Sequence, residues 1–404
     1  MIVCSGERGQ FSAESSSLGY FFQCRYALLE ALQRLPSGER ISISIETLDD
    51  VSFQTDGSPI EILQTKHHIR NPANLTDASP DLWKTLRIWI EGQASGSIPQ
   101  DAQFFLITTA MCGDGTAAAY LRPHGRDEIK ALGHLTATAA TSTNRENAPA
   151  YSAFNSMSPE DRSLFMKAIT VLDGSPSIGQ LDSLLRQAVY YTVERRFLDS
   201  FLIRLEGWWY VRVVKHLLAE RVSPILGEEL EAETRRIQSQ LRDDNLPIDD
   251  EIMRATVDAS GYMGRSFVDQ LRLIGVNDKR VVHAIKNYYR AFEQRSRWLR
   301  EDLLYVGDLD RYEERLIEEW DLVFQEMSDA LGQDAAEEVM KNAGRELYRK
   351  FESDPLPSIK PAVTEPAIAR GTYQMLADDL RVGWHLKFIE HLRPILLRGK
   401  EASG

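Results

Sequence analysis

A strict alternation of isoleucine with polar residues between Arg40 and Glu46 constrains the fold of this chain more than any other sequence feature. Apolar residues at every second position are typical of a β-strand with one buried face. Residues 51–53 continue this pattern, and the dipeptide Asp56-Gly57 that follows favours a tight turn. Residues 60–66 form a second strand pattern directly after the turn. The sequence therefore predicts a β-hairpin.

Helical patterns flank this hairpin on both sides. Residues 19–35 carry apolar residues at helical spacing, and residues 81–92 place Leu82, Leu86, Trp89 and Ile90 on one side of a helix. Residues 104–109 are a short apolar run, which favours a buried central strand. The resulting order, helix–strand–strand–helix–strand, predicts a small α/β domain.

Strand patterns nearly vanish after Pro159, and the rest of the chain is predicted to be mostly α-helical. The longest helical region, residues 183–221, can form two helices that meet near Gly207. Residues 353–366 contain four prolines, which predicts a linker or an extended segment. We therefore predict an α/β domain at residues 1–135, a helical domain at 155–350, and a proline-rich linker with a C-terminal helical segment at 351–404.

Composition limits the function classes that this chain can serve. Its 404 residues are 43% hydrophobic and 26% charged, as in ordinary globular proteins, and its formal net charge is −13. A protein with this much negative charge binds nucleic acid poorly by charge alone. DNA binding would therefore need a bound cation, a local basic groove or a partner. Three cysteines without a CxxC pair favour a reducing compartment and predict no zinc site. The sequence has neither a membrane-length apolar run nor a secretory signal at its start, so we predict a cytoplasmic protein that does not enter a membrane.

Four polar residues of the predicted hairpin form the candidate site: Glu46, Asp50, Gln64 and Lys66. Gln64 and Lys66 are two residues apart on one strand and face the same side, and the hairpin brings Asp50 near them. A metal-dependent phosphodiesterase needs such a set, because oxygen ligands bind Mg²⁺ and a lysine orients the attacking water. In the alternative interpretation, Gln64 and Lys66 are the solvent face of the hairpin, and the acids cap a turn or a strand end.

The spacing of Asp50, Gln64 and Lys66 resembles the motif of the PD-(D/E)xK nuclease superfamily, in the variant with Gln in place of Glu. Three runs are similar to a family of prokaryotic anti-phage double-stranded DNA endonuclease domains: Gly19-Tyr-Phe-Phe-Gln23, Ile45-Glu-Thr-Leu-Asp-Asp-Val51 and Gln64-Thr-Lys-His67. That family occurs at the N-terminus of effectors in nucleotide-signalling (CBASS) systems and beside HerA-type ATPases. The likeness covers residues 12–120 and implies a restriction-endonuclease-like fold.

The resemblance implies a role for each candidate residue. Asp50 would be the principal ligand of Mg²⁺ or Mn²⁺, and Gln64 the second metal ligand. Lys66 would be the catalytic lysine, and Glu46 would supply an additional acid. Asp49 competes with Asp50 for the metal, and Asp50 is preferred because it directly precedes Val51, as in the family pattern.

Three further residues are weaker candidates for the same site. Gln23 matches a family position on the first helix that faces the site. His67 and His68 could bind metal or contact phosphate. Because neighbouring residues of a strand point to opposite faces, the two histidines cannot both serve one site.

The helical remainder, with Arg297-Trp298-Leu-Arg-Glu and Glu318-Glu-Trp320, resembles the C-terminal domains of effectors in ABC-three-component conflict systems. The sequence shows no counterpart of the cyclic-oligonucleotide sensor domain of the signalling effectors. Together the resemblances imply a Mg²⁺-dependent endodeoxyribonuclease of a prokaryotic anti-phage system. It would cut double-stranded DNA under the control of an ATPase partner, HerA-like or ABC-type, or of homo-oligomerisation. The alternative is a non-catalytic, nuclease-like module that assembles with an ATPase or nucleic acid.

Overall fold

The computed structural model describes residues 13–56, 58–66, 74–220, 223–332 and 335–392, with side chains from residue 17 onward. The chain divides into two compact units, each built from two stretches of sequence. The first unit comprises Met1–Thr192 and Phe201–Arg236, and the second comprises Val193–Ser200 and Ile237–Gly404. No helix within the described ranges is long and apolar enough to cross a membrane.

A six-stranded mixed sheet forms the centre of the first unit. In chain order its strands are β1 (Ile41–Ile45), β2 (Val51–Thr55), β3 (Glu61–Lys66), β5 (Gln103–Thr108), β7 (Ile169–Leu172) and β8 (Ile225–Leu226). Their spatial order is β7-β5-β3-β2-β1-β8. Neighbours from β8 to β3 are antiparallel, and neighbours from β3 to β7 are parallel. Two short parallel strands, β4 (Asn74–Leu75) and β6 (Met111–Cys112), form a separate pair.

The helices of the first unit begin before the sheet and continue after it. They are α1 (Ala13–Arg34), α2 (Pro80–Ser95), α3 (Glu128–Thr141), α4 (Ala148–Ser156), α5 (Pro159–Ala168), α6 (Ile178–Ala188) and α7 (Leu198–Leu218). The chain continues with α8 (Gly227–Gln240), α9 (Asp250–Arg254), α10 (Ser266–Leu273), α11 (Asp278–Arg300), α12 (Asp308–Leu331), α13 (Glu337–Ser353) and α14 (Pro366–Asp378). A sheet in the N-terminal half and helices in the C-terminal half confirm the predicted mixed α/β architecture. The restriction-endonuclease-like fold of the N-terminal part stays a prediction.

The apolar face of α2 packs into the core of the first unit, as its spacing predicts. Leu82, Leu86, Trp89 and Ile90 are buried in one cluster with residues of β5 and β7. The indole of Trp89 stacks on the ring of Phe104 in β5, with 4.7 Å between ring centroids. Burial of such aromatic side chains supplies a large hydrophobic contribution to stability. This packing fixes α2 against the sheet beside the candidate site.

Two local predictions about the strands and helices are wrong. Residues 51–53 do not continue the first strand, because β1 and β2 are separate strands that pair antiparallel, with Ile45 opposite Val51. Residues 183–221 contain two helices, but the break lies between α6 and α7, and Gly207 is inside α7. The predicted hairpin of β2 and β3 and the buried central strand β5 are confirmed.

Two strands of the sheet come from beyond the predicted domain boundary at residue 135. β7 pairs with β5, and β8 pairs with β1, although both follow residue 135 in the sequence. The first unit therefore extends to Arg236, with Val193–Ser200 assigned to the second unit. The division seen in the structure differs from the predicted one because short strands that pair with distant partners carry little local signal.

The second unit is built around the close packing of α11 and α14. A Cβ atom at Gly371 would lie 2.0 Å from the carbonyl oxygen of Asn287, so only glycine permits the two helix backbones to approach this closely. Trp298 and Trp384 are fully buried in this unit. Their indoles and the neighbouring apolar side chains give the second unit its own hydrophobic core.

Candidate functional site

An open pocket of about 360 Å³ lies in the first unit, beside the start of β2 and the end of β3. Its lining comprises Glu46, Thr47, Leu48, Asp49, Asp50, Gln64, Lys66, Lys84 and Ile88. All four predicted site residues, and the competing Asp49, thus line a single pocket. We call this pocket the carboxylate pocket.

The strand register explains why three of these residues meet. Ile45 lies opposite Val51, and Val51 lies opposite Leu63. One step further along the same registers, Glu46 lies beside Asp50, and Asp50 lies beside Gln64. The backbone N–H of Glu46 donates a hydrogen bond to the carbonyl oxygen of Asp50 at 3.0 Å, which extends the ladder to this row. Glu46 and Asp50 themselves lie in the bend that joins β1 to β2, outside both strands, and their side chains line the same pocket as Gln64 of β3.

Gln64 and Lys66 lie on an inner strand of the sheet rather than on a solvent face. β3 has β2 on one side and β5 on the other, and Gln64 is only 3% exposed. Lys66 is half-buried and lies two residues further along the strand, so both side chains reach the carboxylate pocket from the same face. The interpretation of Gln64 as part of a solvent-exposed hairpin face is therefore wrong.

The carboxylate of Asp50 is held by neighbouring groups of β3. Its Oδ2 accepts hydrogen bonds from the backbone N–H of Thr65 at 2.7 Å and from the Thr65 hydroxyl at 2.8 Å. Both hydrogen bonds use the same oxygen, and neither uses Oδ1. Fixing a carboxylate through its second oxygen is how outer-shell groups orient metal ligands.

Asp49 is held on the other side, by α2. Its Oδ2 accepts a hydrogen bond of 2.6 Å from the indole N–H of Trp89. Burial of the carboxylate, and then the negative charge of Asp50, raise the pKa of Asp49 to about 7. Asp49 therefore carries a proton for part of the time near neutral pH, and a cation in the pocket would favour release of that proton.

Glu46 stands at the exposed rim of the pocket in a left-handed backbone conformation, with φ of 55°. Such a conformation is costly for a residue other than glycine, and it persists only where surrounding contacts enforce it. The imidazole of His216 supplies such a contact, because its Nε2 lies 3.2 Å from both the N–H and the carbonyl oxygen of the preceding Ile45. Desolvation, and then the charge of Asp50, raise the pKa of Glu46.

The pocket brings three carboxylates together with two lysines, Lys66 and Lys84. Carboxylate and amide oxygens are the ligands that Mg²⁺ prefers, and Mn²⁺ accepts the same donors. Asp50 and Glu46 offer such oxygens from the bend between β1 and β2, and Gln64 offers one from β3. The residues present therefore fit a hard divalent cation, and Lys66 fits an anionic group bound next to it.

Several contributors to this site could not be found from sequence. Lys84 is an exposed residue of α2, and nothing in the sequence distinguishes it from other surface lysines. The roles of Thr65, Trp89 and His216 depend on tertiary contacts that periodicity does not encode.

The weaker candidates have separate outcomes. Gln23 does not line the carboxylate pocket among the described residues, and its side-chain oxygen is buried without a hydrogen-bond partner there. His67 and His68 lie outside the described residues.

Comparison with known families identifies part of the second unit. Residues 267–392 match C-terminal domain 7 of the ABC-three component (ABC-3C) systems. This match confirms the predicted resemblance of the helical region to ABC-three-component C-terminal domains, and it extends from α10 to the last described residue. We call residues 267–392 the CTD7 segment. No curated protein matches the chain.

Solved structures give only a distant likeness. The Acinetobacter baumannii Cap4 SAVED/CARF-domain containing receptor with the cyclic trinucleotide 2'3'3'-cAAA matches with a TM-score of 0.34 and 10% identity, covering 72% of this chain and 67% of that chain. The Moraxella osloensis Cap4 SAVED/CARF-domain containing receptor matches with a TM-score of 0.33 and 11% identity, covering 70% and 69%. Both TM-scores are low, so neither likeness establishes a shared fold or function.

Proposed function

We propose that the first unit is a Mg²⁺-dependent endonuclease that hydrolyses phosphodiester bonds of double-stranded DNA in an anti-phage defence system. The observation that carries the proposal is the shared pocket of Glu46, Asp50 and Gln64, with Lys66 two residues beyond Gln64 on β3. Oxygen donors beside an ammonium group are the chemistry that metal-assisted phosphodiester hydrolysis requires.

The proposed roles follow from the contacts of each side chain. Asp50 would bind the cation through Oδ1 while Thr65 holds Oδ2, and Gln64 and Glu46 would complete the protein ligands. When bound, Mg²⁺ would acidify a water molecule and polarise a phosphoryl oxygen. Lys66 would orient the water that attacks phosphorus and offset the negative charge that develops on the phosphoryl oxygens. Formation of the new P–O bond would break the bond to the leaving nucleotide oxygen, which takes up a proton from solvent.

The CTD7 segment supports a place for this activity within a multicomponent system. We propose that it connects the chain to an ATPase partner or to further copies of the chain. The formal net charge of −13 and the three carboxylates in the pocket oppose the approach of free DNA. A partner that supplies positive charge would overcome this repulsion, and it would also confine cleavage to the assembled complex.

Plasmid cleavage by the purified full chain tests the proposal, with and without its ATPase partner and with Mg²⁺ or Mn²⁺. We expect cleavage by the wild type and by Lys215→Ala, a matched loss of an exposed lysine in α7. Asp50→Asn and Lys66→Ala should both lower cleavage by about 10²–10³-fold while the circular dichroism spectrum is unchanged. Equal cleavage by Lys66→Ala and wild type, or no cleavage in any condition, would refute the nuclease assignment.

A non-catalytic, nuclease-like interaction module is the second candidate function. Gln64 favours it, because a neutral, buried amide replaces the carboxylate that would bind a cation more strongly. A Mn²⁺ titration of the full chain separates the two candidates. Saturable binding that Asp50→Asn removes supports the nuclease, and absence of a Mn²⁺ site in a folded chain supports the interaction module.

A further inference from the structure

A second group of potential metal ligands lies within the CTD7 segment. Glu337, His385 and His391 bring one carboxylate oxygen and two imidazole nitrogens within 4.8 Å of one another. Glu337 is the first residue of α13. His385 lies in the bend before the last described helical residues, 388–392, and His391 is one of those helical residues. The group therefore joins two parts of the second unit that are distant in sequence.

One carboxylate oxygen is common to the close contacts in this group. Oε1 of Glu337 lies 3.5 Å from Nε2 of His385 and 3.9 Å from Nε2 of His391. The two imidazole rings stand edge to face, with 5.1 Å between their centroids and an interplanar angle of 82°. Zinc bonds of about 2.0 Å place tetrahedral ligand atoms about 3.3 Å apart. The two distances from Oε1 are close to this spacing, all three ligand atoms lie within 4.8 Å of one another, and movement of the exposed His391 would close the set.

The environment of His385 provides independent support for a ligand. Its side chain is fully buried, yet Nε2 has no hydrogen-bond partner among the described residues. A buried polar atom without a partner costs about 1–3 kcal/mol, and native proteins rarely leave one unexplained.

We propose that Glu337, His385 and His391 form a binding site for a divalent transition-metal cation, with Zn²⁺ as the preferred ion. Two imidazoles and one carboxylate are a ligand set that zinc uses in proteins, with a fourth position left for water or another ligand. Glu337 and His391 are each about two-fifths exposed, at 43% and 40%, so an ion can enter from solvent. The bound ion would fasten the start of α13 to residues 385–391 and stabilise the CTD7 segment.

Two neighbouring groups limit the affinity of this site. The backbone N–H of Lys387 donates a hydrogen bond of 3.2 Å to Nδ1 of His385. When Nε2 binds a cation, the ring proton must move to Nδ1, so the turn at residues 385–387 has to release this hydrogen bond. The positive charge of Lys341 also lies nearby, but Glu338 offsets it through an ion pair of 3.1 Å.

Zinc content of the purified full chain tests the proposal. The protein is loaded with Zn²⁺, excess metal is removed by gel filtration, and zinc per chain is measured by mass spectrometry. We expect His391→Gln and Glu337→Gln to retain one zinc ion fewer per chain than the wild type. His283→Gln, which removes an exposed histidine of α11 outside the group, is the matched control and should retain wild-type zinc.

Zinc could also enter the carboxylate pocket, so each variant is repeated in an Asp50→Asn background. The loss of one zinc ion on His391→Gln should persist in that background, because the two sites share no residue. Co²⁺ loading should give visible d–d absorption bands that the same variants remove. Equal zinc content in the wild type, His391→Gln and Glu337→Gln, or no retained zinc in any of them, would overturn the proposal and leave an ion pair only.

Discussion

The carboxylate pocket of the first unit and the charged core of the second unit treat acidic side chains in opposite ways. In the second unit, Glu313 accepts hydrogen bonds from the guanidinium groups of both Arg295 and Arg381. In the pocket, Asp49 and Asp50 lie next to each other, and their described hydrogen bonds come from neutral donors, Trp89 and Thr65. Burial, and then the negative charge of Asp50, raise the pKa values of Asp49 and Glu46.

This difference distinguishes acidic side chains that stabilise the fold from acidic side chains that we expect to bind a ligand. A buried acid that serves the fold is paired, because an unpaired buried charge is strongly destabilising. Acids that repel each other in a solvent-connected pocket lower the stability of the free protein, and a cation that binds them recovers that free energy. The carboxylate pocket therefore has the electrostatics of a binding site, whereas the Glu313 network has those of a core.

The largest effect should come from Asp50→Asn. Loss of the principal cation ligand should lower Mg²⁺-dependent DNA cleavage by about 10²–10³-fold, the range seen when one group that stabilises transition-state charge is removed. In the absence of metal the same change should raise the melting temperature, because it removes one of the mutually repelling charges. Cleavage rates and metal-free thermal unfolding check the two halves of this prediction. A lower metal-free melting temperature of Asp50→Asn than of the wild type would show that the pocket acids stabilise the fold, as Glu313 does in the second unit.

Glu313→Gln should have the opposite effect on stability. It leaves the buried guanidinium of Arg295 without its partner, and we expect a loss of about 3 kcal/mol in the free energy of unfolding. Glu314→Gln, an exposed change in the same helix, is the matched control and should change stability little. Chemical denaturation measures both. Equal stabilities of the two variants would show that the network does not carry the second unit's stability.

The pH dependence of stability should sharpen the comparison further. The pKa of Asp49 is raised in the folded protein to about 7, so its contribution to stability is present at low pH and is lost as pH rises toward 7. The metal-free melting temperature of the wild type should therefore fall between about pH 4 and pH 7 more steeply than that of Asp49→Asn. Asp49→Asn is a suitable comparison because the side-chain oxygen of asparagine can still accept the hydrogen bond from the indole N–H of Trp89. Parallel pH profiles for the two proteins would contradict the assignment.

Lys84→Ala should give the smallest effect. Lys84 lines the pocket from an exposed position, so we expect it to contact a DNA phosphate rather than to act in the reaction. In an Asp50→Asn background, which lowers cleavage, the added change Lys84→Ala should weaken DNA binding. The slope of log affinity against log salt concentration should fall in magnitude by about one. Lys215→Ala should leave that slope unchanged.

Local patterns predicted the parts of the fold that depend on local periodicity. The strand pattern in residues 60–66 predicted that Gln64 and Lys66 share one face, and the Asp56-Gly57 dipeptide predicted the β2–β3 hairpin. The same patterns could not show that residues 46–50 reverse the chain. Glu46 adopts its left-handed conformation within tertiary contacts, including the contact of His216 with Ile45.

Prediction from sequence had similar limits for the candidate site and for the edge strands of the sheet. The pocket residues were found because they lie close together in sequence, but Thr65, Trp89 and Lys84 acquire their roles only through packing. β8 consists of two residues, Ile225 and Leu226, too few for any periodic signal. Its pairing with β1 depends on the path of α7, which sequence patterns do not fix.

The position of β8 and His216 so late in the chain has a consequence for biosynthesis. Both contact β1, yet a ribosome must translate 171 residues beyond Ile45 before His216 can dock there, and β8 follows still later. A nascent N-terminal fragment therefore exposes the unpaired edge of β1 and lacks the support that holds Ile45 beside Glu46. Fragments intended for recombinant expression should extend through Arg236, because shorter ones leave an open edge that invites aggregation.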